Sequence, residues 1–536
     1  MVDTGLVVGA TIVYIGIVVV LGYLGWKKTK SGKDFLLAGQ NVSPWIIGLS
    51  YGSTFISTSA IVGFGGFAGN YGMGIIWLAA LNILVGLLLA FVYFGKKVRR
   101  LGKKLKAQTF PELLGKAYGS RFIRWFMAIV ILIGMPLYTW AVLISGSLLM
   151  SPTLGISVND ALIILTLITA AYVIFGGLRA VMYTDALQGA LMIFGMIAIM
   201  VITISLIGGV DHGNQSLTDM ASLHPTGITS TGNYNGMNGW TAMPAAFSDN
   251  WIILVGTIII PVGIGVLAQP QLAVRFMTAK DSKTLNRSIP FGGVFLLTTV
   301  GFAYILGSWT NVYFYDKLTQ ISIVAAKSQG NIIPAFINMA MPEWVVVIFM
   351  LTLVAAAMST LSSLFHVMGS AAGYDIWRSL KMTKLLPERM RGEDESGKAL
   401  NITRGATLVF VMVSFLMAYF LPSSGGFIPI ATSMFFGICA SAFLPLYIHM
   451  LWSKDPSKKA AEWSLAVGTI VWLFTALFCC KTDGAVLGIC KAIFGTDTLL
   501  SGQLAVLDPI LYALPLSTLT FIIVWFYDKK MVKAAA

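Results

Sequence analysis

The chain has 536 residues, of which 57% are hydrophobic and 11% are charged, and its mean hydropathy is +0.82. A water-soluble protein of this length would expose large apolar surfaces at such a composition. The sequence therefore excludes a soluble enzyme or binding module and indicates an all-α protein that crosses the membrane many times. The net charge of +14 does not indicate nucleic acid as a partner, because the basic residues lie in short loops between apolar segments.

Thirteen apolar segments are long enough to cross a bilayer, since a membrane-spanning helix needs about 20 residues. We number them spans 1 to 13 in chain order. They are predicted at residues 5–26, 45–69, 74–95, 122–150, 158–177, 181–208, 250–271, 288–313, 343–373, 402–421, 426–451, 461–480 and 509–527. Span 1 lacks the basic leader and cleavage site of a signal peptide, so we expect it in the mature protein.

The basic residues are distributed unevenly between the two sets of loops. One set contains only Lys317, Lys327, Lys481 and Lys491. The other set comprises Lys27, Lys28, Lys30 and Lys33, residues 96–106, 275–287, 378–404 and 454–459, and the tail 529–533. Because cytoplasmic loops carry the excess of lysine and arginine, this asymmetry predicts an N-terminus outside and a C-terminus inside. Residues 96–106 could instead bind anionic lipid.

Spans 2 and 7 contain residues that interrupt helices. Span 2 is dense in glycine, serine and threonine over residues 48–59, and span 7 contains Pro261, Gly263, Gly265 and Pro270. Two interrupted spans five apart are typical of transporters built from inverted repeats around a midplane site. A single transporter domain is therefore predicted, with five-helix repeats at 45–208 and 250–451, an extra helix at 5–26 and two C-terminal helices at 461–527. A glycine-rich packing face is the alternative for span 2.

Span 9 carries four hydroxyl side chains within five residues, at Ser359, Thr360, Ser362 and Ser363. A hydroxyl in a membrane helix can bond to a carbonyl one turn earlier, but four together leave oxygen atoms for a neighbouring helix or a cation. Small hard cations prefer oxygen ligands. The cluster therefore indicates a sodium site, and tight packing of small residues is the alternative.

Asp185 and His366 are the carboxylate and the histidine that lie within predicted spans and not at their ends. Asp185 is near the start of span 6 and is a candidate functional residue, because a carboxylate in the membrane is costly unless paired. A helix cap or an ion pair with Arg179 would make it structural. His366 lies on the same face of span 9 as Ser359, which allows either packing between helices or a proton relay.

Three segments resemble the sodium:solute symporter family: GGLRAVMYTDALQG at 176–189, AAMSTLSS at 356–363 and QPQLAVRFMTAKD at 269–281. The resemblance implies thirteen helices in the leucine-transporter-type fold of two inverted five-helix repeats, with sodium as the coupling ion. It implies a sodium site made of the carbonyls of Ser53, Ile56 and Ala356 and the hydroxyls of Ser359 and Thr360. Some members hold a second sodium ion, and the matching residues here are Asp185, Ser359, Ser362 and Ser363.

The positions that bind solute in proline-type members of the family differ in this chain. Where those members place an aspartate, an arginine and aromatic residues, this chain has Phe55, Gln40, Val262 and Val266. Met135 stands at about the place where members that bind an acidic sugar use an arginine. These differences disfavour proline and indicate a more apolar pocket. The solute-binding residues are predicted to be Ser57, Thr58, Ala60, Val262, Val266 and Gln269.

The sequence thus predicts a secondary active transporter that imports a small organic solute, an organic acid or amino acid being favoured, together with sodium by alternating access. A cation channel or a uniporter without solute coupling is the alternative, because it would use the same oxygen ligands. No nucleophile or metalloprotease motif occurs, so no enzymatic activity is expected.

The expected partners are sodium, the solute and the lipid of a cell membrane, by expectation a prokaryotic inner membrane, while the oligomeric state stays open. Cys480 and Cys490 are placed so that a disulfide is allowed, although nothing else in the chain requires one.

Overall fold

The computed structural model describes residues 4–230, 232–377, 396–421 and 427–535, so most of the predicted inner loop 378–404 lies outside the described residues. The described chain is almost entirely helical. In lipid, backbone amides and carbonyls have no water to bond with, and a helix satisfies them within one segment.

The first six spans are formed by the following segments. Span 1 is Thr4–Lys28; span 2 is Pro44–Phe55, Ser59–Phe64 and Gly65–Tyr71; span 3 is Met73–Ile75, Ile76–Leu81 and Asn82–Gly95, continued by Lys96–Leu105; span 4 is Arg121–Leu154; and spans 5 and 6 together form Val158–Leu206. Short helices between them are Gly32–Leu37, Ala38–Gln40 and Phe110–Ala117.

The remaining spans follow a small outer segment with the helices Val210–Asp219 and Met220–Leu223 and the antiparallel strands Ile228–Thr229 and Gly232–Asn233. Span 7 is Asp249–Trp251, Ile252–Ile259, Ile260–Gly265, Val266–Ala268 and Pro270–Met277; span 8 is Ser282–Leu296, Leu297–Gly301 and Phe302–Leu318; span 9 is Glu343–Ser370 and Ala371–Ile376; spans 10 to 13 are Ser396–Phe420, Phe427–Trp452, Lys458–Phe478 and Pro509–Ala535. Shorter helices are Ser322–Ala326, Gln329–Asn331, Ile332–Ala340, Lys481–Leu487, Ile489–Phe494 and Gly502–Ala505.

Eleven helices of the described chain are long and apolar enough to cross a membrane, and the bent pair Pro44–Phe55 and Ser59–Tyr71 makes twelve. One of the eleven, Val158–Leu206, has 49 residues and leaves helical geometry at Gly177 (φ 58°, ψ −158°). At about 1.5 Å per residue it is long enough to cross the bilayer twice. Divided at Gly177, it provides spans 5 and 6, and the described residues account for the thirteen predicted spans.

Only glycine suits the turn between spans 5 and 6. The φ of Gly177 is positive, and a Cβ atom there would lie 2.5 Å from the ring of Phe35. The close approach of the helix Gly32–Leu37 therefore fixes where the long helix breaks.

Span 9 occupies the centre of the bundle. Its most apolar window is 89% buried, whereas those of spans 1, 10 and 13 are 28%, 28% and 22% buried. Span 9 packs against spans 2, 4, 5, 6 and 10. Its hydroxyl cluster therefore faces other helices and not lipid.

The break in span 2 lies where the sequence predicted it. The two halves are bent by 56°, and Ile56 leaves the first half in an extended conformation (φ −97°, ψ 104°). The Ser57 hydroxyl accepts a hydrogen bond from the Ser59 amide at 3.2 Å, an interaction that competes with a continuous helix and begins a new one.

The break in span 7 lies at only one of the four residues that were predicted to interrupt it, Pro270. Pro261, Gly263 and Gly265 lie within helical segments, and the chain becomes extended at Gln269 (φ −71°, ψ 120°). Pro270 explains the location, because a proline forces the preceding residue out of helical geometry. Pro261 is tolerated because it lies at the first turn of Ile260–Gly265, where the missing amide costs little.

Candidate functional site

The predicted sodium ligands of spans 2 and 9 lie together. The Ser359 hydroxyl donates to the Ser53 carbonyl at 2.8 Å and to the Ala356 carbonyl at 3.2 Å. The Thr360 hydroxyl donates to the Thr54 carbonyl at 3.4 Å. All five residues are buried. Hydrogen bonds from hydroxyls of span 9 to carbonyls of span 2 therefore hold the two spans together at the break.

Ile56, the remaining predicted ligand, directly follows the last turn of Pro44–Phe55, where carbonyls have no partner within the helix. The group contains carbonyls and hydroxyls only, and a hydroxyl can rotate to present a lone pair to a cation. Within the described ranges, no three His, Cys, Asp or Glu side chains converge as metal ligands. The donor set therefore fits a monovalent hard cation such as sodium.

Replacing Ser359 with alanine is expected to weaken sodium binding at least about 10-fold, because even residues that only support a ligand change metal affinity about 10–100-fold. The fold should persist, since one hydrogen bond contributes only about 1 kcal/mol to stability. Sodium titration of the purified variant by calorimetry measures the effect. Ser370→Ala is the matched control, because the Ser370 hydroxyl also bonds to its own helix, at the Val367 carbonyl (3.0 Å). Equal losses in both variants would contradict the assignment.

Asp185 is held by hydroxyl groups from two other spans. Its Oδ2 atom accepts hydrogen bonds from Ser50 at 2.9 Å and Thr54 at 3.1 Å, and its Oδ1 atom accepts one from Ser362 at 3.1 Å. The side chain is fully buried. Asp185 is therefore not a cap at the cytoplasmic surface.

The suggested ion pair between Asp185 and Arg179 is also wrong. Arg179 bonds to Asp34 at 3.3 Å and to the carbonyls of Lys28 and Ala38, both at 3.0 Å. The turn at Gly177 directs Arg179 towards the connection between spans 1 and 2, away from the span interior.

The ionic partner of Asp185 is Arg275. The Arg275 Nη2 atom lies 2.7 Å from Asp185 Oδ2, and Nε donates to the Ser50 hydroxyl at 2.9 Å. The guanidinium also donates to the hydroxyls of Thr54 and Ser363. The side chains of Arg275 and Asp185 are 1% and 0% exposed. Two of the residues predicted for a second sodium ion, Asp185 and Ser363, therefore contact a buried arginine.

The sequence analysis missed this role of Arg275, which it counted among the orienting charges of the inner loop 275–287. The helix Pro270–Met277 extends span 7 past its predicted end at residue 271. The signal available in the sequence was an intramembrane carboxylate that requires a partner, together with an arginine close to the end of span 7.

A small cavity adjoins the break in span 2. Its volume is about 10 Å³, roughly the space of one water molecule. It is lined by the predicted residues Ser57, Ala60 and Val262, by the polar residues Asn82, Tyr138, Tyr304 and Thr432, and by the apolar residues Phe55, Ile56, Phe64 and Phe436. In the described part of the chain, Asn82 Oδ1 and the Tyr304 hydroxyl are buried without a hydrogen-bonding partner. Such groups are typical of a site that a polar ligand completes.

The other predicted solute residues lie elsewhere. Thr58 bonds to Ser145, and both line a separate cavity of about 340 Å³ on the predicted outer side. Val266 lies against the backbone of Gly86 in span 3, and Gln269 accepts a hydrogen bond from Gln271 at 2.7 Å. Val266 and Gln269 do not line the small cavity because the helix breaks after Val266 and not before it.

Tyr138 of span 4 lies between the cavity and the predicted sodium ligands. It lines the cavity, and its side chain is near those of Ser57 and Thr360, of which Thr360 is a predicted sodium ligand. The sequence did not indicate this position, since helix order alone does not tell which face of span 4 turns inwards.

An ionic network links three helices on the predicted inner side. Arg124 Nε donates to Asp375 at 2.8 Å, the Thr109 hydroxyl donates to the same carboxylate at 2.8 Å, and the Tyr374 hydroxyl donates to Glu112 at 3.2 Å. These residues join the helix Phe110–Ala117 with spans 4 and 9.

His366 and the cysteines have structural surroundings. His366 Nε2 lies 2.9 Å from the Phe35 carbonyl and its ring packs beside the Phe35 ring, which favours packing over a proton relay. The four cysteines are free, so the suggested disulfide between Cys480 and Cys490 is absent from the described residues.

Comparisons with known proteins show which family the chain resembles. The family model described as Sodium:solute symporter family matches residues 35–468. Over 369 residues the chain is 29% identical to the sodium/pantothenate symporter of Haemophilus influenzae, covering 68% of this chain and 70% of that protein. Over 461 residues it is 23% identical to the high-affinity proline transporter PutP of Bacillus subtilis, covering 85% and 88%.

A solved structure of a Na+-coupled sialic acid symporter in a substrate-bound outward-open state superimposes with a TM-score of 0.70 at 18% identity, covering 97% of this chain and 98% of that one. The predicted leucine-transporter-type fold is confirmed. Sodium is the coupling ion, and the activity is symport of a small solute by a multi-pass membrane protein. Because the family model covers residues 35–468, the chain belongs to the sodium:solute symporter family.

Proposed function

We propose that the protein uses an inward sodium gradient to import a small organic acid or amino acid across a bacterial inner membrane. One observation carries the proposal: the residues around the break in span 2 contribute to both sites. The carbonyls of Ser53 and Thr54 accept hydrogen bonds from hydroxyls of span 9, and Ser57 and Ala60 line the small cavity. An ion that tightens the break therefore also shapes the cavity.

The cavity favours a solute that is recognised by neutral hydrogen-bonding groups. No charged side chain lines it among the described residues. Asn82 and Tyr304 offer buried polar atoms without partners, and the second half of span 2 begins at the cavity, where helix amides favour a negatively charged group. A carboxylate can bind there without an arginine.

Transport requires the cavity to open. A volume of about 10 Å³ cannot hold an organic solute, so the solute enters only when spans around the cavity separate. Sodium bound between spans 2 and 9 would favour the arrangement in which the spans around the cavity have separated and the cavity can hold the solute. This is alternating access with the ion as a partner in binding.

Thermal unfolding of the purified protein with a panel of amino acids and carboxylic acids tests the proposal, because a ligand that binds only the folded state raises its stability. We expect at least one solute to stabilise the protein in sodium buffer and far less in choline buffer. Equal stabilisation in the two buffers for every binding solute would contradict sodium coupling.

Replacing Tyr138 with phenylalanine is expected to separate the two sites. Sodium should still bind, because no predicted ligand is lost, but sodium should raise solute affinity much less than in the wild type. Coupling between sites is typically about 1–3 kcal/mol, or roughly 5- to 150-fold in affinity. Solute titrations in sodium and choline measure it. Tyr313→Phe, which loses a hydroxyl bonded to the Met339 carbonyl, is the control, and unchanged coupling in Tyr138→Phe would contradict the link.

A further inference from the structure

Arg275 places a permanent positive charge where a second sodium ion was predicted. Its guanidinium lies 2.7 Å from Asp185 and also donates to Ser363, two of the residues implied as ligands of that ion. An arginine side chain does not lose its proton in proteins. The charge of Asp185 is therefore already balanced in this structure.

The oxygen atoms around Asp185 do not fit a sodium ion in this arrangement. The carboxylate accepts hydrogen bonds from Arg275, Ser50, Thr54 and Ser362. A sodium ion needs free lone pairs on several oxygen atoms, and it would sit beside a guanidinium of the same sign in a buried, poorly screened environment.

The sodium ligands around Ser359 lack such a resident cation. The hydroxyls of Ser359 and Thr360 donate to the neutral carbonyls of Ser53, Ala356 and Thr54. The two positions share span 9 but differ in this respect: one is closed by a side chain of span 7, and the other is built from neutral oxygen atoms.

We infer that Arg275 is the resident cation of the second position, so that the chain binds one sodium ion, at the Ser359 and Thr360 hydroxyls, and not two. The inference rests on the proposed function. It assigns Arg275 a specificity-determining role: its side chain sets the number of sodium ions by filling the place of one of them.

The test counts sodium ions on the purified full-length chain by saturation binding of ²²Na⁺, with choline as the replacement cation. We expect one ion per wild-type chain and two per Arg275→Met chain, because that variant frees Asp185, Ser362 and Ser363. Arg275→Lys keeps a tethered positive charge and should bind one ion. Arg179→Met, which removes the arginine paired with Asp34, is the matched control and should also bind one.

Two sodium ions on the wild-type chain would overturn the inference, as would a single ion on folded Arg275→Met protein. Should Arg275→Met not fold, the wild-type and Arg275→Lys counts decide the question by themselves. Ser359→Ala shows where the counted ion binds. If this variant binds no sodium ion, the assignment to Ser359 and Thr360 is supported; if it still binds one, the assignment is overturned. No sodium bound to the wild type at all would contradict the proposed function instead, so the two failures are distinguishable.

Discussion

Replacing Asp185 with asparagine is expected to destabilise the protein by about 3–5 kcal/mol, because breaking a buried ion pair from one side leaves the other charge uncompensated. Here the orphaned charge would be Arg275, whose guanidinium is 1% exposed. Denaturant unfolding of the purified protein, followed by tryptophan fluorescence, measures the loss.

The double variant Asp185→Asn/Arg275→Met should recover much of that stability, since removing both charges removes the unpaired one. A less buried pair provides a control: Asp34→Asn removes the partner of Arg179, and the two side chains are 24% and 17% exposed. Water can partly solvate the charge that is left behind, so this loss of stability should be smaller. Equal stability of wild type and Asp185→Asn would show that the pair does not form in the folded protein.

Replacing Val262 with tryptophan is expected to abolish solute binding while sodium binding persists. Val262 lines the small cavity. One extra or missing methylene in a hydrophobic pocket changes the binding free energy by about 1–3 kcal/mol, and a whole indole ring should change it by more. Competition binding with a size-graded series of amino acids and carboxylic acids measures the loss.

Two further variants test whether steric overlap in the cavity causes the loss of solute binding. Val262→Ala should shift the preference towards larger solutes, because it enlarges the cavity without overpacking. Val409→Trp adds the same indole to a face of span 10 that is 56% exposed, and it should leave binding unchanged. If Val262→Trp bound the largest solutes as well as the wild type, Val262 would lie outside the pocket.

The membrane spans could be predicted from the sequence because the length and hydropathy of a segment decide whether it can cross a bilayer. Thirteen apolar segments and the break at Ile56 follow from length, hydropathy and local side-chain competition, none of which depends on distant contacts. The span 7 break shows the limit: three helix-breaking residues, Pro261, Gly263 and Gly265, lie in helix, and the residue before Pro270 is the one that departs.

The site could be predicted only in part, because several of its contacts join residues that are far apart in the sequence. Ser359 and Thr360 could be recognised because they share one helix face with other hydroxyls. The partner of Asp185 could not, because Arg275 is 90 residues away along the chain and its sequence context resembles an orienting loop charge. Asn82 and Tyr304 were missed for a similar reason: a single polar residue in an apolar span does not reveal which face it occupies.

The inverted repeats at 45–208 and 250–451, the orientation with the N-terminus outside and the import direction stay predictions. Each depends on the arrangement across a bilayer and on the cycle of motion, which charge asymmetry and span counting indicate only indirectly.

Uptake of ²²Na⁺ into proteoliposomes containing the purified protein tests the central claim most directly. The account predicts that sodium enters only when an accepted amino acid or carboxylic acid is present outside, and that Ser359→Ala suppresses this uptake. Sodium entry at the same rate with and without every solute tested would contradict symport and would indicate the channel alternative.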